Sequence, residues 1–181
     1  PLAFRLDHVI AAHAASARVL EAAGAMSGWD RPKAPGTGRG IALTHSFGTP
    51  VAQVVELADE GGRIALRRAF IACDPGIALD PAIIEAQMIG AMIFGLSAAI
   101  HGEITFAGGR VEQENFVDQD ALRQTGVPEF AVQILQSGDS IGGVGEPGTP
   151  PAAPALANAL HDLTGQRIRS LPLGRHFRFA L

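Results

Sequence analysis

One heptapeptide concentrates the chemistry of this sequence: Gly142-Gly143-Val144-Gly145-Glu146-Pro147-Gly148. The glycines let the backbone turn sharply and pass close to a bulky ligand. Pro147 stiffens the position after Glu146. A helix starting near Pro150 would turn its N-terminus toward this loop, and its dipole favours a negative charge on Glu146. A general base needs that charge. The same residues also suit a plain loop leading into a helix, with a surface glutamate on it. Spacing alone leaves both readings open.

Other constellations carry less. Gly143, Gly145 and Gly148 formally match a dinucleotide-binding pattern, but a lone match is weak. A nucleotide fold needs a second strand after the helix, with an acidic residue about 20 positions on. Here Arg167-Ile168-Arg169 follows instead. His101-Gly102-Glu103 resembles half of a zinc deaminase site, which also needs two cysteines at close spacing. The chain has one cysteine, Cys73, which excludes an internal disulfide or a cysteine-rich metal site and reads as a packing residue. Ser97 and Ser140 show no base partner. No residue is singled out as a metal ligand. The tail from Gln166 holds Arg167, Arg169, Arg175 and Arg178, and reads as a solvated or subunit-facing surface.

The chain has 181 residues, 47% hydrophobic and 18% charged, with a net charge of −4. That composition supports a packed core and excludes the basic field that would hold a nucleic acid. The expectation is a single domain over residues 1–181. Residue 1 is a proline and Pro1-Leu2-Ala3-Phe4-Arg5-Leu6 carries no signal-peptide pattern, so the chain reads as starting within something larger.

The elements that must position the loop follow from periodicity. Ala11 to Ala23 predicts a helix that Gly24 can end. Three strands follow: Arg39–His45, Val51–Leu57 and Arg63–Cys73. The last is expected to turn Ile64, Leu66, Phe70 and Ala72 to one face. Asp59-Glu60-Gly61-Gly62 is a hairpin signal. Pro81 to Ile100 predicts a long buried helix, with Asp80 as N-cap and Pro81 in its first turn. A membrane span is the alternative. Its uncharged core from Met88 to Ile100 falls short of the roughly 20 residues a bilayer needs. Gly90 and Gly95 would admit other backbone close to this helix. Gly108-Gly109 marks a second hairpin, Phe130–Gln136 a strand, and a final helix runs from an N-cap at Thr149 to Gly165. Strands in hairpins with helices between them give an α+β fold with a mainly antiparallel sheet.

Several segments, in order, carry a likeness. They are Pro1-Leu2-Ala3-Phe4-Arg5 with Gly28-Trp29; Arg39-Gly40-Ile41-Ala42; Asp74-Pro75-Gly76 with Asp80-Pro81; Gln87-Met88-Ile89-Gly90-Ala91; Asn115-Phe116-Val117-Asp118; the glycine loop with Pro150-Pro151-Ala152-Ala153-Pro154-Ala155-Leu156-Ala157-Asn158-Ala159; and Gly165-Gln166-Arg167-Ile168-Arg169-Ser170-Leu171-Pro172-Leu173. Through them nearly the whole chain resembles the C-terminal domain of the large, molybdopterin-binding subunit of the xanthine oxidase and aldehyde oxidase family. It is most like the bacterial aldehyde dehydrogenases and isoquinoline 1-oxidoreductase beta subunits. The family often has Asn at the place of Asp80, Gly at Ala91 and Tyr at Gln119. The first two departures bear on the packing of the helix that approaches the cofactor.

The resemblance implies a molybdenum hydroxylase that oxidises an aldehyde or N-heterocycle with water as oxygen source. Glu146 matches the family's catalytic glutamate, the base toward the oxygen nucleophile. Gln87 matches a hydrogen-bond partner of the pterin; a polar residue near the helix start is the plainer reading. Gly143, Val144 and Gly145 would lie along the cofactor. The implied cofactor is molybdopterin, in its cytosine dinucleotide form, with molybdenum. Electrons would leave through iron–sulfur clusters of a small partner subunit. The chain would then be a C-terminal fragment whose other partners are the remainder of its own subunit and a small-molecule substrate. A non-catalytic cofactor-binding or assembly module of the same fold is the competing reading, and the retained glutamate weighs against it. The chain alone is expected to bind no cofactor, to be inactive, and to cover exposed apolar surface by self-association. Its compartment, bacterial cytoplasm or periplasm, is left open.

Overall fold

The computed structural model describes residues 1–9, 13–138 and 140–180. Ala11 and Ala12 of the predicted first helix, Asp139 of the glycine-rich loop and Leu181 of the tail lie outside the described residues. The chain forms helix α1 (Leu2–Val9), α2 (Ala14–Ser27), strands β1 (Thr37–Ser46), β2 (Thr49–Asp59) and β3 (Ile64–Cys73), and the long helix α3 (Pro81–His101). A short hairpin β4 (Phe106–Ala107) and β5 (Arg110–Val111), strand β6 (Glu129–Ile134) and helix α4 (Ala152–Thr164) follow.

The sheet runs in the order β1-β2-β3-β6. The first three strands pair antiparallel, as the hairpin signal Asp59-Glu60-Gly61-Gly62 implies for the second and third. β6 joins parallel to β3, because α3 carries the chain back before it re-enters the sheet. Helices cover both faces. Val19, Leu20 and Ala23 of α2 pack with Ile41, Val54 and Phe70 on one side. On the other, Met88, Met92 and Leu96 of α3 join Leu156 and Leu160 of α4 over Val55, Leu66 and Ile71. The fold is therefore α+β, with an antiparallel-dominated sheet between two helical layers.

Four expectations need correction. The pairing of β2 with β3 shifts between Glu56 and Leu57, so that Glu56 faces Arg68, Leu57 faces Leu66, and Arg67 is left over. This bulge exchanges the faces of β3. Ile64 and Leu66 lie on the α3 side, Phe70 and Ala72 on the α2 side. Gly24 does not end α2; Gly28 does, in a left-handed conformation with φ 59°. Gly24 is buried inside the helix, where a β-carbon would sit 2.6 Å from Leu2 Cδ2 of the unforeseen α1. α4 begins at Ala152 after Pro151, so Thr149 is not its cap. Finally, α3 is buried along one face, while Ile83 and Phe94 stand exposed on the other.

Candidate active site

Three segments meet at one edge of the molecule. Helix α3 starts where the Asp80 carboxylate accepts bonds from Ala82 N and Ile83 N, both at 3.1 Å. Its buried stripe of Ile84, Met88 and Met92 fixes the helix's rotation, and that rotation leaves Gln87 and Phe94 exposed. The β1–β2 turn supplies the second segment. Phe47 and Gly48 both have positive φ, 55° and 78°, as a two-residue hairpin turn requires.

The glycine-rich loop is the third segment, laid down by backbone hydrogen bonds. Gly142 N donates to Pro75 O and Gly143 N to Phe47 O, each at 2.8 Å. A β-carbon on Gly142 would overlap the Thr49 hydroxyl, and one on Gly143 would come 2.9 Å from Phe47 Cβ. Further on, Thr149 N donates to Glu146 O at 2.9 Å, and Thr149 Oγ1 to Ala91 O at 3.2 Å. The second bond ties the loop to α3. Gly148 fits beneath, where a β-carbon would meet Ala91 Cβ and Met88 O, both at 3.1 Å.

The result is a cleft of about 530 Å³ lined by Gln87, Gly145 and Glu146 with Phe47, Phe94 and Thr149. A β-carbon on Gly145 would stand 3.7 Å from Gln87 Nε2, so the two segments are in near contact. Glu146 is exposed, and among the described residues no donor or cation pairs with its side chain. Helix α4 starts six residues after it, further than expected from Pro150.

Gln87, Gly145 and Glu146 are thus brought together, while Gly143 and Val144 do not line the cleft. The Gly143 amide is spent on Phe47, and Val144 is half-buried against the core. Sequence reasoning missed Phe47, Phe94 and Thr149. The turn signal Ser46-Phe47-Gly48-Thr49 could have marked the first, and Phe94 lies on the helical face of Gln87. Nothing local marks Thr149.

Other candidates dissolve. Glu103 pairs with Arg175, and His101 Nδ1 stands 3.7 Å from Asp120, so His101-Gly102-Glu103 is the tied-down end of α3. Burial, with Asp74 beside it, pushes the Cys73 thiol up to about 12. Among the described residues no three His, Cys, Asp or Glu side chains converge as metal ligands. An amide, a carboxylate and a glycine-lined approach suit the edge of an organic cofactor that carries its own metal ligands.

Over 178 residues the chain is 34% identical to the isoquinoline 1-oxidoreductase subunit beta of Brevundimonas diminuta, covering 96% of this chain and 23% of that protein. Over 120 residues it is 30% identical to the aldehyde oxidoreductase molybdenum-binding subunit of Escherichia coli K12, covering 62% of this chain and 16% of that one. The chain therefore spans less than a quarter of the length of these relatives. Its fold is similar to that of CO dehydrogenase from Oligotropha carboxidovorans, with a TM-score of 0.59 and 22% identity, over 67% of this chain and 17% of that chain. The molybdopterin cofactor-binding domain family matches residues 4–128, which stops short of Glu146 and takes in most of the fold. The chain belongs to the molybdopterin cofactor-binding domain family.

Proposed function

We propose that the full protein is a molybdenum hydroxylase acting on an aldehyde or an N-heterocycle, and that this chain contributes the general base and one edge of the cofactor site. The observation that carries the reading is the unpaired Glu146 carboxylate in one cleft with Gln87. The names of the relatives, isoquinoline 1-oxidoreductase and aldehyde oxidoreductase, support the substrate classes. In its cytosine dinucleotide form, molybdopterin with its molybdenum supplies Lewis acidity and a two-electron sink when bound.

Gln87 holds the cofactor's edge by its side-chain amide. Gly145 has no side chain to obstruct a close approach. Glu146 accepts, at a carboxylate oxygen, the proton of the oxygen nucleophile that derives from water. For an aldehyde the overall change is one water consumed, one carboxylic acid formed, and two electrons and two protons released. The electrons pass to iron–sulfur clusters of a small partner subunit, because one cysteine cannot ligate a cluster here. The rest of the molybdopterin-binding subunit encloses the other sides of the cofactor.

Glu146→Gln in the assembled enzyme tests this reading. General-base removal costs roughly 10²–10⁴ in turnover, with molybdenum content and fold unchanged. A variant that keeps more than about a tenth of wild-type turnover, against that range, rules Glu146 out as the base. Loss of molybdenum together with activity would favour a cofactor-holding or assembly role instead.

A further inference from the structure

A second hollow lies at the far end of α4. Glu146 precedes the start of this helix, whereas the hollow is lined by His161 and Asp162 near its end and by Gly165 and Arg167 beyond it. α4 has 13 residues, about 20 Å of helix, so the two places are separate. The hollow has a volume of about 870 Å³, within the range of small-molecule sites.

Its walls combine flat rings with guanidinium groups. Phe4 of α1 and Trp29 of the loop after α2 supply the rings. Trp29 is held in place, because the Arg39 guanidinium stands 5.8 Å over its ring. Arg39 is itself fixed by the carbonyl oxygens of Ser27, Gly28 and Arg31, at 3.2, 2.7 and 2.6 Å.

The charges do not balance. A chain of net charge −4 brings Arg5, Lys33, Arg39 and Arg167 to this one hollow, against the single carboxylate of Asp162. Asp162 is answered by Lys33 and by the Arg39 amide. Arg5 reaches only the Pro1 carbonyl oxygen, at 3.0 Å. Burial pulls its guanidinium below the ordinary value, as befits a cation that has lost water and gained no anion. The His161 Nδ1 atom is buried and, among the described residues, has no hydrogen-bond partner. An orphaned buried polar atom costs free energy until something meets it.

The surplus is modest, and that selects the ligand. The end of α4 turns roughly half a negative charge toward the hollow, and Asp162 adds its own. What remains suits one negative charge better than the two of a phosphate. A guanidinium fork matches a carboxylate by two parallel hydrogen bonds. The rings ask for a flat apolar body attached to it.

We propose that this hollow is a second, non-catalytic site that takes an aromatic carboxylate, its ring against Phe4 and Trp29 and its charge held by Arg5 and Arg167.

Titration calorimetry with sodium benzoate on the full, assembled protein tests this, with every neighbouring segment in place. Arg167 is exposed and meets no carboxylate among the described residues, so Arg167→Gln leaves the fold intact. Benzoate should bind the wild type, and bind Arg167→Gln roughly tenfold or more weakly, the scale of one charge-assisted hydrogen bond. Arg5→Gln should have the same effect. Benzyl alcohol, which lacks the charge, should bind the wild type no better than benzoate binds the variants. Glu146→Gln separates the two hollows and should leave the Arg167-dependent binding unchanged. Equal benzoate affinity in wild type and Arg167→Gln overturns the proposal. So does binding that disappears in Glu146→Gln, which would put the anion in the catalytic cleft. Inorganic phosphate binding more tightly than benzoate overturns the choice of an aromatic monoanion. A wild type that binds no benzoate also overturns it, since the hollow is then filled by another segment of the assembly.

Discussion

Gln53 and Gly148 are joined through the interior: the Gln53 amide, fully buried in the middle of β2, donates to the Gly148 carbonyl oxygen at 2.6 Å. This bond pins the loop to the sheet two residues after Glu146. Gln53→Leu keeps much of the volume and leaves that carbonyl unpaired, at a cost of about 1–3 kcal/mol. The expected outcome is a lower thermal midpoint with faster amide exchange across residues 141–149. If exchange there matches wild type, Gln53 does not hold the loop.

Helix α4 lies so close on β1 at Gly40 that no side chain fits there. A β-carbon on Gly40 would overlap the Ala155 carbonyl oxygen and the Ala159 nitrogen. Both obstacles are helix backbone, which cannot step aside as a side chain would. Gly40→Ala should therefore destabilise the chain by at least 1–3 kcal/mol, roughly the range for overpacking. At Gly90 a β-carbon would meet no atom within 4 Å, so Gly90→Ala should stabilise it by about 0.8–1.0 kcal/mol, the helix-propensity difference. Denaturant unfolding of the two variants should move in opposite directions; a shift of the same sign in both contradicts the packing described.

These contrasts show what the sequence could disclose. Helix α3 was legible because Asp80, Pro81 and a long apolar run are local signals. The first two hairpin strands were legible for the same reason. The faces of β3 were not, since Arg67 is an extra residue only in relation to its partner strand. Gly24 read as a stop, but it is a packing glycine created by Leu2 on another helix. Glu146 stood out through its glycine and proline neighbours, whereas Gln87 was visible only through the family likeness. Phe47 and Phe94 belong to the cleft through juxtaposition, and local patterning carries no trace of that.

Cys73 should be inert in the folded chain. It is fully buried, and burial followed by the Asp74 charge raises its thiol from the ordinary 9.0 to about 12. Alkylation needs the thiolate, so iodoacetamide at pH 8 should label Cys73 only after unfolding. The linkage has a definite sign: the raised folded value means the unfolded chain loses its proton first. Stability from this group is complete below pH 9.0 and declines as pH rises toward 12. In Cys73→Ala, that part of the alkaline decline should vanish. Rapid labelling of the native chain would contradict the burial.

The chain on its own should bind no molybdenum cofactor and should self-associate. The argument concerns enclosure. A pterin dinucleotide is large and anionic, and holding it needs donors converging from several sides. Here the Glu146 cleft is open to solvent, and among the described residues neither lysine nor arginine lines it. Most of such a ligand's charge would still face water, so little affinity remains after the cost of association. Meanwhile apolar groups stand open: Phe116 is 97% exposed, Val117 91% and Phe106 69%. Exposed apolar surface on this scale marks an interface, and in the absence of the rest of a subunit a second copy can cover it. Metal analysis of the purified chain and its mass in solution check both halves. Stoichiometric molybdenum in a monomer would show that this single edge suffices for binding, and the enclosure argument would fail.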